Sequence, residues 1–236
     1  MKRIFGIFLA LVLVQFAVSS CTAGDEKADK TAKKTEKVKE ASSSAAKLVS
    51  YEAKGLSIGD TAPNFKLKNI DGKKYALEDI KDANGNAAKG YIVTFTCNTC
   101  PVAKMYEQRI IDLHNKMAPL GYPVVAIQPN DPEVKPGDNF AAMQQRAEDK
   151  GYPFAYLLDE GQEIFPQYGA SRTPEIYLLD ETHKLRYHGA IDDNSGDADA
   201  VTVNYVEKAV TALQNGQDPN PSDIKAVGCS IKVKRS

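Results

Sequence analysis

One stretch constrains the fold of this chain more than any other. Tyr91-Ile92-Val93-Thr94-Phe95-Thr96 runs straight into Cys97-Asn98-Thr99-Cys100-Pro101, and a helical pattern follows. The β-branched and aromatic run predicts a buried strand. Val102, Tyr106, Ile110, Leu113 and Met117 recur at the spacing of one helix face. A C-x-x-C motif is thereby set between a buried strand and a helix start. The spacing places Cys97 in the first helical turn, where free N–H groups and the helix dipole lower a thiol pKa. Cys100 lies one turn on, in reach of a disulfide with Cys97 that releases a bound partner. Pro101 suits the first turn, where its missing N–H costs nothing. A zinc half-site and a structural disulfide are the alternatives. Zinc would need a second ligand pair, and the chain offers only Cys229 and three scattered histidines.

The surrounding pattern alternates strand and helix. Asp71-Gly72 marks a hairpin near the start. Strands are predicted at 122–128, 154–158, 175–179 and 184–188, and helices at 138–150 and 201–213. This order predicts an α/β domain, a mixed central sheet flanked by helices. With 42% hydrophobic residues a real core is available, and a net charge of −1 gives no footprint for nucleic acid. Four cysteines are too few and too scattered for a disulfide-framework miniprotein.

The N-terminus reads as an address. Lys2 and Arg3 precede an apolar run of about 14 residues, shorter than the ~20 a spanning helix needs. Val18-Ser19-Ser20-Cys21 closes it and resembles the bacterial lipobox, so residues 1–20 are read as a lipoprotein signal peptide and Cys21 as the lipidated residue. An ordinary signal peptide ending near a cysteine is the alternative. Once Lys2 and Arg3 are removed, 28 basic face 31 acidic residues, a net charge of −3. Residues 22–50 lack aromatics and apolar periodicity, which predicts a flexible charged tether of roughly 30 Å span. A partly helical stalk is the alternative. Residues 51–236 form the folded domain. These readings place the protein in a bacterial cell envelope, lipid-anchored, on the periplasmic face or the cell surface.

The second chemical element is Ser171-Arg172-Thr173-Pro174-Glu175, entering an apolar strand. Pro174 is read as cis, facing the cysteines and leaving the Thr173 backbone free to pair with a substrate strand; an ordinary trans turn is the alternative. Taken together, Gly59, Ala62-Pro63, Phe65, Leu67, Asp71-Gly72, the strand–Cys97-Asn-Thr-Cys100-Pro101–helix and Thr173-Pro174 resemble the thioredoxin-like redoxins. That superfamily joins membrane-tethered thiol–disulfide oxidoreductases of the TlpA type to the alkyl hydroperoxide reductase and thiol-specific antioxidant proteins. The resemblance covers residues 56–213 and extends to the ending Val227-Gly228-Cys229-Ser230. It implies a thioredoxin fold with an N-terminal β-hairpin and a central insertion. It also implies Cys97 as attacking thiol, Cys100 as resolving thiol and Pro174 as the cis-proline.

The chain departs from these patterns in several places. It has no Trp, and Tyr91 stands where thioredoxins carry a buried carboxylate, which leaves the base for Cys100 unassigned. Thr94 and Cys97 supply half of a peroxidase motif, but Gly90 stands where its proline belongs. Arg172 is either a cation beside the Cys97 thiolate or an exposed loop residue. Cys229 is left over and reads as a small buried hydrophobe, with a second resolving thiol or an inter-chain bond as alternatives. His114, His183 and His188 read as surface or packing residues. Asp192, Asp193, Asp197 and Asp199 mark a loop and helix start, with a metal site only a weak alternative. The expected activity is membrane-anchored thiol–disulfide exchange with protein clients, fed by a thioredoxin-like electron donor. No cofactor is expected, since no flavin or nicotinamide fingerprint is present. A thiol peroxidase using Cys97 and a Cu(I) carrier using both thiolates are the alternatives.

Overall fold

A computed structural model describes residues 55–234. The predicted signal peptide, the lipidation site Cys21 and the tether lie outside the described residues. A short hairpin, β1 (Leu67–Asn69) and β2 (Lys74–Tyr75), opens the domain. Gly72 forms its turn at φ +83, a backbone that favours glycine. Then come β3 (Gly90–Phe95), α1 (Pro101–Met117), β4 (Val124–Gln128), α2 (Phe140–Lys150), β5 (Ala155–Leu158) and α3 (Ile164–Tyr168). The chain continues through β6 (Arg172–Thr173), β7 (Glu175–Asp180), β8 (Leu185–Gly189), α4 (Tyr205–Gln214), β9 (Asp223–Ile224) and β10 (Cys229–Ser230).

Eight strands form one mixed sheet in the order β2-β1-β5-β4-β3-β7-β8-β9. β3, β4 and β5 are parallel; β7 runs antiparallel to β3, and β8 to β7. Both faces are covered, which explains why the central strands read as unbroken apolar runs. Ile92, Val124, Ala126 and Leu178 pack with Tyr106, Ile110, Met143 and Val206 on one side. Val93, Phe95, Val125, Ile127 and Leu179 pack with Phe165 and Tyr168 on the other. This is the mixed sheet flanked by helices that the pattern predicts.

Two helices start later than predicted. Asp138 was expected to open α2, but Asn139 is the N-cap and its side chain accepts from the Ala142 N–H. Asp138 instead turns into the protein and is fully buried. Val201 and Val203 precede α4, because Asp193 accepts the N–H groups of Thr202 and Val203 and holds this segment in a loop. The acidic loop has another use as well: Asp192 accepts Tyr106 Oη at 2.9 Å and pairs with Arg109 at 2.7 Å. Among the described residues, no group of three or more His, Cys, Asp or Glu is placed to hold a metal.

His114 is a packing residue, tilted against Phe154 with ring centroids 5.7 Å apart, and its Nδ1 accepts the Val124 N–H at 3.2 Å. Burial pushes its pKa down to about 4 from an ordinary 6.5. A histidine held neutral in the fold contributes stability that is present above 6.5 and is lost as pH falls toward 4. Allowing for partial exposure, this term is on the order of 2 kcal/mol. Urea unfolding across this range is expected to be shallower in pH for His114→Phe than for the parent chain. Equal slopes would remove His114 as the cause.

Candidate redox site

The cysteines gather where β3 ends, but not in the pairing expected from the sequence. α1 begins at Pro101, so Cys97 lies ahead of the helix rather than in its first turn. Cys100 is the N-cap, and its Sγ accepts the Ala103 N–H at 3.5 Å. The disulfide joins Cys100 to Cys229, with Cα atoms 6.0 Å apart; Cys97 is free and buried. Cys229 is therefore not a mere packing residue. Its strand, β10, pairs antiparallel with β6, placing Cys229 opposite Thr173 and Ser230 opposite Arg172. Local spacing favoured Cys97 with Cys100 because only neighbours are visible in a sequence. The strand pairing sets a partner 129 residues away.

Asp138 organises the loop between the two motif cysteines. Its carboxylate accepts Asn98 N–H at 2.9 Å, Thr99 N–H at 3.0 Å, Thr99 Oγ1 at 2.7 Å and Asn130 Nδ2 at 2.8 Å. Asn98 is tied further, donating to Gly137 O and accepting from Tyr156 Oη, each at 3.0 Å. The N–H groups nearest Cys97 are thus taken by a carboxylate. The Cys97 Sγ instead lies 3.3 Å from Thr173 Oγ1. Nothing in the sequence separated Asp138 from an ordinary helix-start aspartate. A second feature missed from sequence is Glu107 on α1, buried and held by both Arg146 and Tyr152 Oη. With Thr96 and Cys97 these residues line a small cavity.

The Thr173–Pro174 peptide is cis. Glu175 shapes the turn before it: Oε2 accepts Ser171 and Arg172 N–H at 2.7 and 2.8 Å, and Oε1 meets His188 Nε2 at 2.9 Å. Burial alone would raise the Glu175 pKa, but the His188 bond and these two N–H groups outweigh it and hold it below its usual value. The half-buried Arg172 is not a free loop cation: its guanidinium donates to Gly228 O at 3.1 Å and secures the tail. Tyr91 faces His183 edge-on at 5.7 Å and supplies no acid to the cysteines. At Gly90, a Cβ would meet Leu179 O at 2.3 Å, so the position that a peroxidase motif gives to proline has no room for a ring. The Thr94 hydroxyl of that motif is buried without a hydrogen-bond partner among the described residues.

The tail's seat is closely fitted. A Cβ on Gly228 would lie 2.3 Å from Thr173 O and 2.7 Å from its carbon, too near for any real contact. Gly228→Ala is expected to cost the docked tail about 1–3 kcal/mol. At a given dithiothreitol concentration, a larger share of Cys229 is then open to alkylation than in the parent chain. An unchanged share would mean that the backbone moves aside.

Comparison with known proteins agrees with this geometry. The AhpC/TSA family matches residues 58–188. A thiol–disulfide oxidoreductase of Bacillus thuringiensis, ResA, is 25% identical over 130 residues, which is 55% of this chain and 68% of the relative. An uncharacterized conserved protein of Geobacillus kaustophilus has a solved structure at TM-score 0.70 and 37% identity, covering 76% of this chain and 94% of that one. A hypothetical protein of Sinorhizobium meliloti matches at TM-score 0.70 and 30% identity, covering 77% and 97%. With a mixed sheet flanked by helices, three converging cysteines and a family match over more than half its length, the chain belongs to the AhpC/TSA family and is a thiol-based oxidoreductase.

Proposed function

We propose that this protein is a lipid-anchored thiol–disulfide oxidoreductase of the bacterial envelope, acting on protein disulfides through the Cys97–Cys100 motif together with Cys229. One observation carries the reading: three sulfur-bearing side chains pack into one cluster beside the Thr173–Pro174 turn, one as a free thiol and two as a disulfide. A site that holds both forms at once is equipped for exchange, in which a thiolate attacks a disulfide sulfur. The names of the ResA relatives support the same reaction class. Electrons would come from another dithiol protein of the thioredoxin type. The lipobox-like Val18-Ser19-Ser20-Cys21 supports the anchor.

A peroxidase reading draws on the small cavity at Cys97, lined by Arg146. That guanidinium is already engaged by Glu107 through Nε and Nη2, which leaves it poorly placed to polarise a peroxide. A Cu(I) carrier using Cys97 and Cys100 would first need the Cys100–Cys229 bond reduced. The test is to reduce the full chain and follow insulin disulfide reduction beside hydrogen peroxide consumption. Insulin turnover with peroxide consumption no faster than for an ordinary thiolate is the expected result. Fast peroxide consumption without insulin turnover would replace the proposal with the peroxidase. The mass of the protein recovered from bacterial membranes tests the anchor, and absence of acyl chains on Cys21 would remove it.

A further inference from the structure

We propose that Cys229 is the sulfur through which electrons enter the protein. A dithiol donor of the thioredoxin type attacks Cys229 in the Cys100–Cys229 disulfide, while clients are left to the Cys97–Cys100 motif. This assignment rests on the oxidoreductase reading above and gives the third cysteine its place in it.

Three observations converge on it. The first is the arrangement of the sulfurs around Cys100. Cys97 Sγ lies 3.3 Å from Thr173 Oγ1 and Cys100 Sγ lies 3.3 Å from Thr173 O, so both motif sulfurs rest on one residue. Cys229 packs against the cluster they form. Cys100 is thus within reach of its motif neighbour and of Cys229, and it is bonded to the second while Cys97 is free. The second is access. Cys97 and Cys100 are 6% and 4% exposed, whereas Cys229 is half-buried in a tail whose Val227 and Ser230 are exposed. Exchange depends on which sulfur the incoming thiolate can reach, and in this disulfide that sulfur is Cys229.

The third is that the tail is held by more than its disulfide. Ile231 N–H donates to Ser171 O at 3.0 Å, Arg172 donates to Gly228 O at 3.1 Å, and the Ile231 side chain is buried in the same core as Phe95. Lys232 N–H donates to Asn130 Oδ1 at 2.8 Å, and its carbonyl accepts from Asp131 N–H and Gln162 Nε2. These contacts keep Cys229 beside Cys100 when the S–S bond is open, so its attack is intramolecular. They also keep the motif covered. A client reaches Cys97 only when β10 lifts off β6, whereas the donor needs no such opening.

The chemistry balances. Reduction of a client leaves Cys97 and Cys100 joined. The Cys229 thiolate attacks Cys100 Sγ; the Cys100–Cys229 bond forms, the Cys97–Cys100 bond breaks, and Cys97 leaves as a thiolate that takes a proton from water. This is the pairing seen here, with Cys97 free. One donor thiolate then attacks Cys229 Sγ, forming a donor–Cys229 bond and releasing the Cys100 thiolate, which is protonated in turn. The second donor thiolate attacks the donor sulfur of that bond. The donor disulfide closes and the Cys229 thiolate leaves. Two electrons have passed from the donor to the three-cysteine site, which is again fully reduced.

The experiment uses the full chain carrying Cys21→Ser, with glutathione as the thiol probe. The oxidised protein is mixed with less than one equivalent of glutathione, quenched in acid early in the reaction and mapped by peptide mass spectrometry. Glutathione is expected on Cys229 at least about tenfold more often than on Cys100. A second measurement follows insulin reduction with glutathione as the reductant. Cys229→Ser is expected to turn over at least about tenfold more slowly than the parent and to accumulate as the Cys97–Cys100 disulfide. Glutathione found mainly on Cys100 or Cys97, or a Cys229→Ser variant that keeps pace with the parent, overturns the assignment and leaves the oxidoreductase reading standing. A slow Cys229→Ser variant recovered fully reduced has lost the client reaction rather than the donor reaction, which overturns it too. If the parent reduces insulin no faster than glutathione alone, both readings fall. Should Cys229→Ser fail to fold, the glutathione map of the parent decides the question by itself.

Discussion

Replacing Cys100 with serine is expected to reduce turnover of protein disulfides to background, a loss of about a thousandfold or more. Two contributions disappear together: the sulfur held at the α1 N-terminus and the partner of Cys229. Serine is a favourable N-cap, so α1 keeps its start and the loss reports chemistry rather than unfolding. The comparison with stability makes this explicit. Opening a disulfide that closes a loop of 129 residues costs about 5 kcal/mol on the loop-entropy account. Urea unfolding should therefore place Cys100→Ser below the oxidised parent by that order, and close to the reduced parent. Insulin turnover that survives the substitution would move the reaction to another sulfur.

Asp138→Ala should have the largest effect on the fold around the site. Its carboxylate is fully buried and answers two backbone N–H groups, a hydroxyl and an amide. Removing it leaves several buried donors without an acceptor, at about 1–3 kcal/mol each before any relaxation. A net loss of about 3–5 kcal/mol is expected in urea unfolding. Exchange should slow by about a hundredfold, since the loop joining Cys97 to Cys100 loses its anchor. Asp138→Asn retains one carbonyl acceptor and should recover part of both losses. Equal defects in the two variants would show that the negative charge, rather than the hydrogen-bond count, holds the loop.

Much of this architecture was legible from local pattern. The run Tyr91–Phe95 is buried on both faces, and its apolar continuity says so. α1 follows from Tyr106, Ile110, Leu113 and Met117, and Pro101 opens it as its chemistry favours. The Asp71-Gly72 turn is where the dipeptide places it. These features depend on residues within a few positions of one another. Helix starts were harder to read. Asp138 and Asn139 are both good caps, and only the packed loop decides which one faces the helix and which turns inward.

Short-range pattern was enough to specify the strand–Cys–helix unit, the alternation that builds a mixed sheet, and the redox character of the cysteines. Each follows from side-chain periodicity and bond chemistry, which act over short stretches. Tertiary structure alone decided which sulfurs are joined. Cys97 and Cys100 are neighbours in the chain, yet β10 docks on β6 and carries Cys229 to Cys100 from 129 residues away. It likewise decided that Arg172 holds the tail and that Asp138, rather than Cys97, receives the Asn98 and Thr99 N–H groups. Such pairings depend on which distant segments the folded sheet brings within bonding distance, and no local pattern encodes that distance.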